Sequence, residues 1–284
     1  MLTIEAMYRH DVRVEAVCEF LSRYFTTGNP TRWKKLFDLP WIGTYPCGYV
    51  MLNEAKDIVG FIGTIFADRI IENKTITTCS LSSWAMDETT RGKGLNLIRK
   101  FIKQENILFL DLTANEPSRK IFNAFKFQTL DNFEYVFPAF LKFNQEIKIF
   151  LEQNININKL SRDEQLILKD HKNTCVKFAQ VIYFTESILI AYIEVKRKKL
   201  SFIEILYISP KTDFINKNIV KIIRFIAYKE NVLGTIISSR FVNIIPKSIY
   251  LKRKIKHLIF RDNNPSHIQP TIDTLYTEKV LFCQ

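Results

Sequence analysis

The sequence lacks the patterns that mark a membrane-spanning, secreted or metal-binding protein. It contains no uncharged apolar run of the roughly 18 residues that a spanning helix needs. Residues 1–13 are mixed and charged, so no secretion signal is expected there. The 4 histidines are dispersed and share no ligand spacing with the cysteines, which predicts that no metal is bound.

Cysteine usage does not fit a disulfide-stapled scaffold. The 5 cysteines are odd in number and scattered, and no CxxC pair occurs. They are Cys18, Cys47, Cys79, Cys175 and Cys283. The pattern predicts buried, reduced thiols and favours a cytoplasmic location.

The composition predicts a packed core, and the length leaves room for two domains. Hydrophobic residues make up 47% and aromatic residues 13% of the 284-residue chain, which argues against global disorder. A chain of this length commonly holds two domains. The predicted domains are residues 1–143 and residues 144–284.

The basic surplus lies in the second half of the chain. Residues 1–143 carry 18 Lys and Arg against 16 Asp and Glu, whereas residues 144–284 carry 23 against 13. A compact basic cluster lies on and beside a helix predicted at residues 248–258. Its members are Lys252, Arg253, Lys254, Lys256, His257 and Arg261. The cluster is expected to meet an anionic substrate, an acidic membrane surface or nucleic acid. The aromatic residues do not interleave with these charges, which disfavours nucleic acid.

The most informative segment is a glycine-containing loop at residues 87–96, between a predicted strand at 75–86 and a predicted helix that starts at Leu95. Backbone N–H groups at a helix entrance, together with the positive end of the helix dipole, bind phosphate. Gly92 and Gly94 let the backbone approach a bulky anion, and Arg91 and Lys93 add positive charge. The alternative is an ordinary strand-to-helix turn.

The elements around this loop predict an α/β domain of α+β type. A helix is predicted at residues 12–25, a hairpin at 49–52 and 58–67, a buried strand at 107–112 and a last strand at 133–137. A second amphipathic helix opens at Asn115, where Pro117 fits the first helical turn.

These motifs resemble those of the GCN5-related N-acetyltransferases, which use acetyl-CoA. Arg91 and Gly94 match the pyrophosphate loop of that family, and Asn96 replaces its final small residue. Asn115 and Ser118 match its next signature in type and spacing. The resemblance covers roughly residues 1–140. It implies the acyl-CoA N-acyltransferase fold, a mixed, mostly antiparallel sheet flanked by helices.

The resemblance also implies a set of residues that bind acetyl-CoA as the acyl donor. The pyrophosphate is expected on the backbone of residues 91–96, and the pantetheine arm along an open strand edge. The implied set is Trp84, Ala85, Met86, Arg91, Gly92, Lys93, Gly94, Leu95, Asn96, Asn115 and Ser118. Backbone N–H groups of residues 84–86 are expected to hold the thioester carbonyl as its oxyanion develops.

Two departures from the family pattern concern catalysis. Phe122 stands where the family often has a tyrosine acid, and serines stand where it often has a carboxylate base. Ser82 and Ser83 are therefore the candidate catalytic residues, acting through a water chain; the alternative is that they are small residues which let strands pack closely. Asp111, in an apolar strand, is either structural or titrates near the cleft.

The second half is interpreted as a degenerate copy of the same fold. Linking helices are predicted at 145–170, three strands between 176 and 208, and a final strand at 275–282. The loop at 209–218, which corresponds to the phosphate loop, has no glycine, so no second cofactor is expected there. The alternative is an unrelated α+β domain.

The predicted function is transfer of an acetyl or short acyl group from acyl-CoA to an amine or hydroxyl. The alternative is a non-catalytic CoA-binding or scaffold protein. The segment after the first helix is rich in aromatic residues with a polar edge, which are Trp33, Trp41, Tyr45 and Tyr49. In this family that segment lines the acceptor pocket, and the pattern resembles a subgroup of bacterial surface-polysaccharide acyltransferases. The expected partners are acyl-CoA and a small-molecule or sugar acceptor, with contact to an anionic surface through the second half.

Overall fold

The computed structural model describes residues 1–25, 29–71, 74–130, 132–140, 147–209, 212–242, 250–255, 258–263 and 273–282. The chain forms two compact units. Unit 1 comprises residues 1–130, 257–270 and 276–281, and unit 2 comprises residues 131–256, 271–275 and 282–284. These are packing units, and the domain boundary after residue 143 stays a prediction.

The helices and strands of the first 130 residues follow the predicted order. They are β1 (Thr3–Met7), α1 (Val14–Tyr24), α2 (Pro30–Lys34), β2 (Gly48–Leu52), β3 (Ile58–Ile71), β4 (Lys74–Met86), α3 (Leu95–Phe101), β5 (Ile107–Asp111), α4 (Glu116–Ala124) and β6 (Gln128–Thr129). The first helix, the hairpin, the strand before the loop and the helix after it are confirmed.

The remaining elements begin with a strand that covers the residues where the sequence predicted one. They are β7 (Asn132–Pro138), β8 (Lys148–Leu151), α5 (Arg162–His171), β9 (Lys177–Tyr183), β10 (Glu186–Arg197), β11 (Leu200–Ser209), α6 (Asp213–Lys229), β12 (Gly234–Ser238), β13 (Leu251–Ile255), β14 (Ile259–Asp262) and α7 (Glu278–Leu281). A capping box at Ser161 starts α5: the Ser161 hydroxyl accepts from the Glu164 N–H, and the Glu164 carboxylate accepts from the Ser161 N–H.

The sheet of unit 1 has the strand order β1-β2-β3-β4-β5-β14-β6. Its neighbours pair antiparallel except β4 and β5, which are parallel. A parallel pair needs a crossover connection, and the loop with α3 supplies it. On one face α3 and α4 pack Leu97, Ile98, Phe101 and Phe122 against the sheet in a continuous apolar core. The packing of α3 on the sheet holds the loop that precedes this helix at the end of β4.

The sheet of unit 2 repeats this plan in the order β13-β7-β12-β11-β10-β9-β8. Its parallel pair is β11 with β12, and α6 connects them as α3 connects β4 to β5. The predicted α+β class and the second copy of the fold are therefore confirmed, with two mixed sheets of seven strands each.

The two halves of the chain exchange a strand. β7 comes from the first half of the chain and lies between β12 and β13 of the second sheet, whereas β14 comes from the second half and lies between β5 and β6 of the first sheet. The strand predicted at residues 133–137 is confirmed, but its expected place as the last strand of the first sheet was wrong, because it pairs with β12 and β13. Alternation of apolar residues predicts that a strand exists and does not say which neighbour it pairs with.

Three predictions for the second half were wrong. Residues 251–255 form the edge strand β13, with Lys252, Arg253 and Lys254 exposed, in place of a helix. Residues 278–281 form a short helix in place of a strand, and residues 148–151 form a strand where linking helices were expected. Charged edge strands and four-residue elements carry too little apolar periodicity to be recognised. Lys256 and His257 lie outside the described residues.

The cysteines follow the prediction only in part. Cys18, Cys47 and Cys79 are buried and free. Cys175 is exposed and disulfide-bonded, so its assignment as a buried thiol was wrong. Cys283 lies outside the described residues. Within the described ranges, no helix is long and apolar enough to cross a bilayer.

Candidate active site

The candidate site begins where β4 and β5 part. Their parallel pairing ends at Ser80 opposite Leu110, and β5 itself ends at Asp111. β4 runs on to Met86 while remaining paired to β3 on its other side. One edge of β4 is thus left without a β5 partner over its last residues, which is the arrangement that accepts an extended ligand as an added strand.

A β-bulge in β4 shapes this edge. Ser82 faces Gly63 and Ala85 faces Phe61, so β4 has one more residue than β3 between the two pairs, and Ser83 takes a φ of 54°. Beyond the bulge, the Asp87 N–H donates to the Val59 carbonyl at 2.9 Å.

N–H directions alternate along a strand. Counting back from Asp87, whose N–H faces β3, the N–H groups of Met86 and Trp84 face the open edge, and that of Ala85 faces β3. Two of the three residues predicted to hold the thioester carbonyl therefore point their donors into the gap.

The loop after β4 is more ordered than the sequence indicated. Residues Glu88–Lys93 form a 3₁₀ helix, capped by Asp87, whose Oδ1 accepts from the Thr89 N–H at 3.1 Å. The Thr90 hydroxyl donates to the Val59 carbonyl at 3.1 Å, which fastens the loop to β3. α3 then starts after Gly94 without a side-chain cap, so no side chain competes for the positive end of its dipole.

The two loop glycines have different surroundings. Gly94 is buried, and a Cβ there would lie 3.1 Å from Met86 Cγ and 3.2 Å from Trp84 Cζ2. Its missing side chain is therefore needed for packing on β4. Gly92 is exposed, and a Cβ there would meet nothing within 4 Å. Gly92 is thus the position at which the loop backbone is open to an anion.

The charges of the loop suit an anionic ligand. Arg91 and Lys93 are exposed and form no ion pair with any residue in the described part of the chain. Asn96 is also exposed, and its Oδ1 accepts from an Arg99 guanidinium nitrogen at 3.3 Å. The loop therefore presents unpaired cations beside an uncapped helix start.

Asn115 and Ser118 have a structural role at the start of α4. The Asn115 Oδ1 accepts from the Ser118 N–H at 2.9 Å and so caps the helix. Their contact with an acyl donor stays a prediction. Phe122 is buried, with its ring centre 5.8 Å from that of Trp84 and 4.8 Å from that of Phe127. Its side chain holds no proton to donate.

The serines of β4 form a polar strip at the bulge. The Ser82 and Ser83 hydroxyl oxygens are 3.0 Å apart, and Ser82 is buried. Two residues earlier on the same face, the buried Ser80 hydroxyl has no hydrogen-bond partner among the described residues. Their catalytic role stays a prediction, but they place hydroxyl groups at the point where β4 and β5 separate.

A pair of buried carboxyl groups lies beside this strip. The Asp111 Oδ1 accepts from the Thr113 N–H at 3.0 Å, and the Thr113 hydroxyl donates to Glu278 Oε1. Burial raises the pKa of Asp111 to about 6 against backbone hydrogen bonds from Thr113 and Ala114. Burial, then the nearby charge of Asp111, raise the pKa of Glu278 to about 8.

Glu278 was missed by the sequence reasoning. Its neighbours Asp111 and Thr113 lie far away in the chain, and the strand predicted at 275–282 gave it no role. Tyr276 fixes the segment in unit 1: its ring meets Trp41 edge-on at 5.1 Å, and the Arg69 guanidinium lies 4.4 Å from its ring centre. The only sequence signal was one acidic residue in a mainly apolar stretch.

The aromatic residues expected to line an acceptor pocket are largely packed. Trp33 is buried against Phe25, with ring centres 5.0 Å apart, and Tyr49 is buried and stacks on Phe101 at 5.1 Å. The Tyr45 hydroxyl donates to Asp68 Oδ1 at 3.0 Å. Core packing thus accounts for Trp33 and Tyr49. Among the residues described, no group of three or more His, Cys, Asp or Glu side chains is placed to hold a metal.

Comparison with known proteins gives a fold. No protein-family model and no curated relative match the sequence. A GCN5-related N-acetyltransferase from Anabaena variabilis superposes with a TM-score of 0.64 at 9% identity, over 93% of this chain and 73% of that one. A putative acetyltransferase from Pyrococcus horikoshii gives 0.52 at 12%, over 93% and 90%. The N-myristoyltransferase of Saccharomyces cerevisiae, solved with bound myristoyl-CoA, gives 0.51 at 9%, over 96% and 88%. The chain therefore has the fold of acyl-CoA N-acyltransferases, in tandem form.

Proposed function

We propose that this protein transfers an acetyl or short acyl group from acyl-CoA to an amine or hydroxyl acceptor. The observation that carries the proposal is the open edge of β4, which is followed in the chain by a loop with two exposed, unpaired cations and then by the uncapped start of α3. An acyl-CoA molecule combines an extended, amide-containing arm with a pyrophosphate. Those two parts match the strand edge and the loop.

Different residues of unit 1 bind the pyrophosphate, the pantetheine arm and the thioester carbonyl. Arg91, Lys93 and the backbone from Gly92 to Asn96 bind the pyrophosphate. The Met86 and Trp84 N–H groups hydrogen-bond the arm and the thioester carbonyl, where negative charge develops during attack. The leaving thiolate needs little acid assistance because a thiol has a pKa near 8.5, so the absence of a tyrosine at Phe122 is compatible with turnover.

The acceptor is proposed to be a small amine or a sugar. Support comes from the resemblance of the aromatic segment at residues 33–49 to surface-polysaccharide acyltransferases. In unit 2, the exposed lysines and arginine of β13 give a basic edge suited to an anionic acceptor or surface. A panel of amino sugars, polyamines and peptide amines tests this by release of free thiol from acetyl-CoA.

Acyl-CoA binding is tested at Gly92, because an added side chain there clashes with nothing. Gly92→Asp places a carboxylate beside the pyrophosphate and is expected to abolish binding, whereas the neutral, equally sized Gly92→Asn should keep most of it. Gly94 is unsuitable, since any side chain there meets Trp84 and Met86. Ligand at 100 times its dissociation constant stabilises a protein by about 2.7 kcal/mol, so a thermal shift with acetyl-CoA gives the readout.

The outcome separates the proposed function from two alternatives. If both Gly92 variants bind acetyl-CoA as the wild type does, the donor is held elsewhere. If the wild type binds but no acceptor gives thiol release, the protein is a non-catalytic CoA-binding protein. Phe122 and the serines in the middle of β4 favour that second candidate, because neither position supplies the usual acid or base.

A further inference from the structure

We propose that Glu278 is the general base of this acyl transfer and that Asp111 controls its protonation. The inference rests on the proposed function and adds a catalytic residue to it. It supplies the carboxylate that β4 lacks, from a segment almost two hundred residues further along the chain. The carboxylate arises from the short helix α7, which the sequence had assigned to a strand.

The first support is position. Ser82 lies just beyond the last β4–β5 pair, and Asp111 is the last residue of β5. Glu278 interacts with both of them and accepts a hydrogen bond from Thr113. The carboxyl group therefore lies at the fork of the two strands. The thioester carbon of a donor laid along the open edge of β4 would lie near this fork, because the Met86 and Trp84 donors face the same gap.

The second support is an incomplete hydrogen-bond shell. Glu278 is 7% exposed, and its buried Oε2 completes no hydrogen bond with any described residue. The Ser82 hydroxyl faces the carboxyl and favours its ionised form. The buried Ser80 hydroxyl is likewise without a partner in the described part of the chain. Buried polar atoms are rarely left this way, and a carboxylate oxygen without a donor is free to receive a proton.

The third support is a route for that proton to leave. Thr113 is exposed, and its hydroxyl donates to Glu278. The carboxyl group is therefore buried but one hydrogen bond from a solvent-exposed side chain. A general base has to return to its ionised form after each turnover, and this contact provides the exchange path.

The step balances as follows. The acceptor nitrogen or oxygen forms a bond to the thioester carbon while its proton passes to the ionised Glu278 carboxylate. The carbon–sulfur bond breaks, and CoA leaves as the thiolate. The proton on Glu278 then passes to solvent beside Thr113. No oxidant, reductant or metal takes part.

The charged and polar groups that face Glu278 set its pH range. They are Asp111 from β5, Ser82 from β4, Thr113 after β5, and Lys279 on its own helix. Burial and the Asp111 charge raise the pKa of Glu278 to about 8, and Lys279 acts in the opposite direction. Because the ionised form is the base, activity should rise as the pH increases through about 8. A base with a pKa near the working pH is the effective kind.

The test compares Glu278→Gln and Asp111→Asn with Glu105→Gln, which alters an exposed glutamate outside the site. Thiol release from acetyl-CoA is measured from pH 6 to pH 10, with the acceptor panel and with water alone. Glu278→Gln should lower the rate by about 100-fold or more while leaving the thermal shift with CoA intact. Asp111→Asn removes a negative neighbour and should move the rising limb to lower pH.

If Asp111 had only a structural role, Asp111→Asn would not move the rising part of the pH–rate profile to lower pH. A second readout needs no acceptor: with ¹³C-labelled glutamate carboxyl groups, the wild type should show one NMR signal that titrates near pH 8 and is missing from Glu278→Gln. Addition of CoA should move its midpoint.

Several results would overturn the proposal. If Glu278→Gln keeps the wild-type rate and pH limb, or if the glutamate signal titrates in the ordinary acid range, Glu278 is not the base although the transferase reading survives. If the wild type releases no thiol even though CoA binds, the proposed function fails and the base with it. Glu105→Gln is the control. If it keeps the wild-type rate and pH profile, a loss of rate in Glu278→Gln is not a general effect of removing a carboxylate.

Discussion

The two units share a strand plan and differ at the entrance of the helix that follows the central strand. In unit 1, α3 has no side-chain cap and follows Arg91 and Lys93. In unit 2, the Thr212 hydroxyl accepts from the Ile215 N–H at 3.3 Å and donates to Glu186 Oε2 at 2.9 Å, and Asp213 occupies the first turn. The same position is electropositive and open in one unit, and capped and acidic in the other.

The strands before those helices also differ in polarity. The serines of β4 surround a bulge at Ser83, whereas β11 buries Ile203, Ile205, Leu206 and Ile208. α6 is also 17 residues long against 7 for α3, and it contributes seven buried residues to its core. The proposed donor site therefore lies in the unit whose central strand has an open edge and whose helix start lacks a side-chain cap. The contrast supports the prediction that unit 2 binds no acyl-CoA of its own.

The largest expected effect separates stability from ligand binding. Ile98 in α3 and Ile223 in α6 are both 0% exposed, and truncation of either to alanine should cost about 2–5 kcal/mol of unfolding free energy. Ile98→Ala loosens the helix that carries the phosphate loop, so it should also weaken acetyl-CoA binding. Ile223→Ala should leave the affinity of the folded protein unchanged.

Chemical denaturation gives the stability of both variants, and titration calorimetry at a temperature where each is folded gives the affinity. An equal loss of affinity in both variants would show that unit 2 contributes to donor binding. The prediction that only unit 1 binds the acyl donor would then be wrong.

A second effect concerns the pH dependence of stability and arises from Glu278 in unit 1. The pKa of Glu278 is raised from its ordinary value of 4.5 to about 8, so the folded protein retains a proton that the unfolded chain has lost between those pH values. The stabilisation from this group is complete below pH 4.5 and is lost as the pH rises to 8, at about 1.4 kcal/mol per pH unit at most. Glu278→Gln removes the titration.

The measurement is the unfolding free energy of wild type and Glu278→Gln at several pH values between 4 and 9. The variant should gain on the wild type as the pH rises, and the difference should level off above pH 8. A difference that does not vary with pH would mean that Glu278 ionises normally in the folded protein.

The sequence predicted the fold of the first 130 residues well because the signals there are local. The nearly continuous apolar run at 107–112, the helical spacing of Leu95, Ile98 and Phe101, and Asn115 before Pro117 each specify an element without reference to distant residues. The glycines Gly92 and Gly94 marked the loop correctly, although only the structure shows that Gly94 serves packing.

What the sequence could not predict depends on long-range contacts. The exchange of β7 and β14 is invisible to periodicity, because either sheet satisfies the same alternation. The carboxyl pair of Asp111 and Glu278 needs the C-terminal segment to return to the first sheet, and Glu278 was assigned to a strand. Tryptophan and tyrosine pack in a core as readily as they line a pocket, so the residue types at Trp33 and Tyr49 do not show which of these roles they have.

The smallest expected effect tests the helix entrance of unit 2. Thr212→Ala removes the cap of α6 and should cost about 1 kcal/mol of stability. It also releases the Ile215 N–H, so the entrance becomes uncapped like that of α3. Because Asp213 and Glu186 remain at this entrance, the variant should still show no second acetyl-CoA site in calorimetry. A second site in the variant would mean that the side-chain cap alone distinguishes the two entrances. An unchanged stoichiometry together with the stability loss would mean that the charge beside the helix decides where the anion binds, and that the strand edge of unit 1 is a necessary partner of its loop.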